Sequence, residues 1–109
     1  MADKTAREVV EKALRSIGYI AAEEAPTAVD YTQALDEYMT AHEVLDDDLD
    51  GIEWNYDAVP QKAFSGVSAV LSGRLIREFP TSAEAKARAL ENYGIGMDEL
   101  RKLYYRRRS

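Results

Sequence analysis

The densest chemistry-bearing group in the sequence is acidic. Asp46-Asp47-Asp48-Leu49-Asp50-Gly51, continuing to Asp57, sets oxygen donors at loop positions one, three and five, glycine at six and a carboxylate at twelve. That is calcium-loop spacing. Three features oppose it. Position twelve is Asp57, shorter than the usual glutamate; position eight is Glu53, where an apolar residue normally pairs two loops; and Pro60 comes too late for the exiting helix to begin inside the loop. The one histidine, His42, has no cysteine or serine motif to activate, and its place on the inner or shoulder face of a helix predicts a partly buried, hydrogen-bonded ring. The sequence has no phosphate loop, dinucleotide glycine fingerprint or paired-histidine metal spacing. The expectation is a protein that is not an enzyme, with no catalytic residues, no cofactor and no metal.

The chain ends in Tyr104-Tyr105-Arg106-Arg107-Arg108-Ser109. Such a terminus can be solvated, can dock as an extended arm on an acidic partner surface, or can contact nucleic-acid phosphates. Tyr104 and Tyr105 add apolar and stacking area, which favours the docking arm. Phosphate contact ranks third, since three arginines on a strongly acidic body make a weak footprint.

Charge is segregated along the chain. No Lys or Arg occurs between Arg15 and Lys62, an interval with twelve acidic residues; the preceding segment is one net positive and the following one five. That map predicts an electrically two-ended molecule able to stack on its own copies, or else a solvated acidic face. Without cysteine there are no disulfides. No apolar run approaches the roughly 18 residues of a membrane span, and the start MADKTAREVV lacks a signal-peptide pattern. A soluble, intracellularly made, single-domain protein with no membrane partner is expected.

The elements that position these groups read as all-α. Pro60 to Phe79 organises the rest: Phe64, Val67, Leu71, Leu75 and Phe79 form a stripe that Ala63, Val70 and Ile76 widen. Ser65, Gly66, Ser68, Ala69, Ser72 and Gly73 fill the other faces with small residues. Two helix glycines cost about 1 kcal/mol each, so close packing at a bundle centre is expected to offset them. Before it, Thr5 and Glu8 form a capping box, the stripe Ala6, Val9, Val10, Ala13, Leu14, Ile17 follows, and Gly18 stops the first helix. Tyr19 to Pro26 is a connection. A second helix starts at Thr27 with Asp30 three residues on, and Ala28, Tyr31, Leu35, Tyr38, His42, Leu45 and Leu49 trace its face, with Ala34 and Met39 beside it. It runs to about Asp46, where acid opposes the helix dipole and should fray it. Residues 46–59 then form an acidic loop in which Ile52, Trp54 and Tyr56 alternate without a strand partner. After Pro80, Thr81 or Ser82 caps a fourth helix whose stripe is Ala87, Leu90, Tyr93, Met97, Leu100, Tyr104. Its register survives Gly94 and Gly96, which predicts one long helix; a break at Gly96 with Asp98 recapping is the alternative. The result is a small four-helix bundle over 1–103 with a tail over 104–109.

In this order the pieces resemble the head-to-tail adaptor (connector, or head-completion) proteins of tailed bacteriophages. The resembling residues are TAREVVEKALRSIGYIAAEEAPTAVDYTQALDEYM, the turn Asp48-Leu49-Asp50-Gly51, Val59-Pro60, the helix GVSAVLSGRLIREFPTS and an alanine-rich last helix. The connection between helices two and three is shorter than the strand-containing docking insertion many members carry. The resemblance implies a virion structural protein, assembled in the bacterial host cytoplasm and placed at the capsid–tail junction. It implies a ring, typically of twelve copies, beneath the portal protein, extending the DNA channel and offering a platform to a tail, stopper or nozzle protein. Tyr104, Tyr105, Arg106, Arg107 and Arg108 would reach the portal. Asp46, Asp47, Asp48, Asp50, Glu53 and Asp57 would face the lumen or a neighbouring subunit, where acid lets double-stranded DNA slide past without sequence-specific binding. Trp54 and Tyr56 would meet the tail or a neighbour. The alternative is a small regulatory helical domain that binds nucleic acid or a protein through its basic C-terminal end, with a calcium-loop module third.

Overall fold

In the computed structural model, which describes residues 3–49 and 51–104, four helices follow one another: α1 (Ala6–Ser16), α2 (Ala28–Asp48), α3 (Gln61–Leu75) and α4 (Ala83–Tyr104). The chain is an all-α four-helix bundle. Thr5 caps α1 through a complete capping box, its hydroxyl accepting from the Glu8 N–H while Glu8 accepts from the Thr5 N–H at 2.9 Å. That backbone bond holds the Glu8 carboxyl below its usual range. At the other end Gly18 takes φ +77°, and Tyr19 N–H donates to Leu14 C=O while Gly18 N–H donates to Arg15 C=O. This is a Schellman stop, which needs a residue tolerant of left-handed backbone. All six residues of the α1 stripe are buried.

α3 packs on all three other helices, most extensively on α4. Its small residues do what their cost demands. A Cβ on Gly96 of α4 would lie 2.8 Å from the Gly66 carbonyl oxygen, one on Gly66 would lie 3.0 Å from Leu100 Cγ, and one on Gly73 would overlap the Tyr93 ring. α3 and α4 therefore cross almost backbone to backbone. α4 runs unbroken through Gly94 and Gly96, with the Ser82 hydroxyl accepting from the Ala85 N–H at its start. Thr81 does not cap; its hydroxyl donates to Ile17 C=O and ties α4 to the end of α1.

Four expectations are corrected. α2 continues to Asp48 instead of fraying at Asp46, because the chain just beyond folds back to close its end: the Asp46 carboxylate accepts from Ile52 N–H at 2.8 Å, its carbonyl accepts from Gly51 N–H at 2.7 Å, and Leu45 and Leu49 are buried in the core. The acidic loop is thus shorter than 46–59. α3 ends at Leu75; Phe79 reaches the core through a turn, since a residue before proline is biased away from helix, and its ring meets Tyr19 edge-on at 4.8 Å. Met39 is exposed, with Ala41 buried in the α2 face instead. On α4 Ala85 and Ala89 are buried while Ala87 and Leu90 face outward, Leu90 at 61% exposure. No strand forms among the described residues; Lys4 and Val59 exchange a single antiparallel bridge.

Candidate functional site

The expected site residues of the loop are drawn into a clasp at one end of the bundle. Trp54 lies between His42 of α2, ring centroids 5.3 Å apart, and Tyr104 of α4 at 6.1 Å. Tyr56 meets Tyr38 at 6.2 Å and His42 at 6.3 Å. Backbone bonds complete it: Tyr38 donates its hydroxyl to Tyr56 C=O at 2.6 Å, and His42 Nε2 lies 3.2 Å from Trp54 C=O. His42 is half-buried and hydrogen-bonded, and it serves the loop. Burial pushes the Tyr38 phenol well above its ordinary pKa. Burial also raises the Tyr104 phenol.

The carboxylates of the acidic segment do not converge. Asp57 accepts from the Ala6 N–H at 2.7 Å, capping α1 from fifty-one residues away. Asp46 closes the α2 end, and Asp48 pairs with Arg101 of α4 at 3.2 Å. Asp47 and Glu53 are exposed. Among the described residues no three acidic or histidine side chains gather as metal ligands would. Asp50 lies outside the described residues. Replacing Asp57 by alanine should lower stability by about 1–2 kcal/mol through loss of that cap, read as a shifted urea midpoint, while Glu53→Ala should leave it unchanged.

Tyr104, expected in the extended tail, is the last residue of α4, half-buried against Trp54 with the Lys62 ammonium 5.6 Å from its ring centre. Tyr105, Arg106, Arg107 and Arg108 lie outside the described residues. The Arg101–Asp48 pair also corrects the two-ended charge picture: the acidic end of α2 and the basic end of α4 sit side by side. The two sides of α3 differ in character. One side carries α2, whose exposed charged residues are all acidic; the other is an open channel between α1 and α4, about 290 Å³, lined mostly by small and polar residues, Ser16, Ser65, Ser68, Ser72 and Asn92, with Lys12 and Glu99 as its charges. Sequence reasoning missed this channel. Its only sequence signal is the spacing of Ser65, Ser68 and Ser72, three and four residues apart on one face of the central helix.

No described helix is long and apolar enough to cross a membrane. Comparison with protein-family models, with curated proteins and with solved structures finds no match to this chain.

Proposed function

We propose that this chain is a head-to-tail adaptor of a tailed bacteriophage: a virion structural protein that joins copies of itself into a ring under the portal, continues the DNA channel and presents a platform to the tail or stopper protein. One observation carries the reading. It is the order of the elements: a short first helix stopped at Gly18, a long second helix ending in the acidic segment, a small-residue third and an alanine-rich last, which is compatible with that reading. The work of such a body is shape and surface, and here the aromatic clasp spends His42, Trp54, Tyr56 and Tyr104 on holding the loop between α2 and α4. Asp47 and Glu53, exposed among the described residues of the acidic segment, are offered to a lumen or a neighbour. Tyr105 to Arg108 follow directly from the clasped end of α4, which gives the proposed portal-docking arm a fixed root.

The test uses the cognate portal protein. Mixing should give a ring complex by size-exclusion chromatography and negative-stain imaging. Truncation after Tyr104 keeps the Trp54–Tyr104 contact and so should leave the melting temperature unchanged, while portal affinity falls by about tenfold or more, the scale of losing a few interface anchors. Unchanged affinity would remove the docking arm from the account, and no portal complex with the full chain would remove the adaptor reading.

A further inference from the structure

α3 is covered by α2, α1 and α4 and left open on its fourth side. That opening runs between α1 and α4 over a floor of Ser65, Ser68, Ala69 and Ser72. Lys12 stands on the α1 wall, and Lys62 and Lys102 flank the far end with Leu103; Ile95 lines the α4 wall, and Glu99 is the acid between them. Ser68 is 2% exposed and its hydroxyl has no hydrogen-bond partner among the described residues. A floor of small side chains admits another helix at short range, and Lys12, Lys62 and Lys102 against Glu99 and the Asp98 that pairs with Lys102 at 3.4 Å leave the rim one net positive, which favours a negative occupant.

The complementary surface is on the same chain, facing the other way. Ser65 and Arg74 are nine residues apart, about two and a half helical turns, and so lie on opposite sides of α3. Arg74 pairs with Glu37 of α2 at 3.5 Å, which puts α2 across α3 from the channel. On α2, Val29, Asp36, Glu43 and Asp47 share one outward stripe, all exposed, with Met39 and Val44 exposed beside it at 39% and 47%. No lysine or arginine occurs from Ser16 to Gln61 to neutralise it. Asp36 to Asp47 spans roughly 16 Å, within the roughly 22 Å of α3.

We propose that the channel between α1 and α4 of one copy receives the outward face of α2 of a second copy. The two surfaces differ and point in opposite directions, so the contact is heterologous: each copy added leaves one surface free at each end, and the series closes when the rotation per copy divides a circle. The inference rests on the ring reading above and names the contact that would build the ring.

Two double reversals test it, Lys62→Glu with Lys102→Glu in the channel and Glu43→Lys with Asp47→Lys on α2. All four side chains are exposed, so both variants should fold, as circular dichroism melts will report. In sedimentation velocity at low ionic strength, from about 10 μM to about 1 mM, the wild type should self-associate, and each reversal should weaken this by about tenfold or more. An equimolar mixture of the two variants should associate again, because each variant's altered surface matches a surface of the other. A wild type that stays monomeric throughout, reversals that associate like wild type, or a mixture that fails to recover overturns the contact. Loss of association on truncation after Tyr104, with the reversals silent, would give the channel to the tail and also overturn it. Portal binding measured in parallel separates the two claims: a portal complex with silent reversals refutes this contact alone, and an obeyed charge swap without a portal complex refutes the adaptor reading alone.

Discussion

Gly96→Val is expected to destabilise the protein by on the order of 3 kcal/mol, out of a total of about 5–15 for a domain of this size. A Cβ at Gly96 would stand 2.8 Å from the Gly66 carbonyl oxygen and 2.9 Å from Ala69 Cβ, so backbone and not a flexible side chain must give way. Separating α3 from α4 to make room would also unseat Leu100, buried in the core beside Gly66. The control is two residues away. Gly94 has open space where a Cβ would go, and Gly94→Ala should stabilise by about 0.5–1 kcal/mol through helix propensity and a less flexible unfolded chain. Urea unfolding of both variants reads the result as midpoints moving in opposite directions. Equal shifts of the same sign would mean that the two helices do not cross at Gly66 and Gly96.

Tyr38→Ala should cost still more, about 3–5 kcal/mol, as removal of a fully buried aromatic does. Tyr38 is 0% exposed, and its hydroxyl also holds Tyr56 C=O, so the loop around Trp54 should loosen with it. Trp54 fluorescence should move toward that of a solvated indole before the helices melt. Tyr38→Phe separates the two contributions: the ring stays, the bond to Tyr56 is lost, and the cost should be about 1–2 kcal/mol. The same residue sets an alkaline dependence. Burial raises the Tyr38 phenol, so the folded chain keeps a proton that the unfolded chain releases near pH 10. Its contribution is whole below about pH 10 and declines as pH rises beyond it. Unfolding midpoints taken from pH 7 upward should fall more steeply for the wild type than for Tyr38→Phe.

What was legible in the sequence is what local chemistry decides. The Thr5–Glu8 capping box, the α1 stripe and the stop at Gly18 each need only near neighbours, and all three are found. The role of Gly66 and Gly73 was legible as well, because two glycines in one helix require a close partner. The misreadings occur where contacts beyond the helix itself override a local rule. Three aspartates oppose the dipole of α2, yet Arg101 and the loop from Gly51 to Ile52 hold its last turn. On α4 apolarity pointed to Leu90, whereas Ala85 and Ala89 are the residues buried there and Leu90 faces outward. The acidic segment was visible as composition, but the partners of Asp57 and Asp48 are 51 and 53 residues away, so their structural duties were not. The channel between α1 and α4 arises from where three helices leave a gap, and the spacing of three serines alone could not reveal it.

The most direct measurement of the central claim is a cryo-electron microscopy map of the particle that carries this chain, at the capsid vertex and without imposed symmetry along the tail axis. The account predicts a ring of these four-helix bodies around the DNA exit channel, directly beneath the portal, with the chain beyond Tyr104 reaching toward it. Density for the chain anywhere else in the particle, or its absence from the particle altogether, would contradict the account.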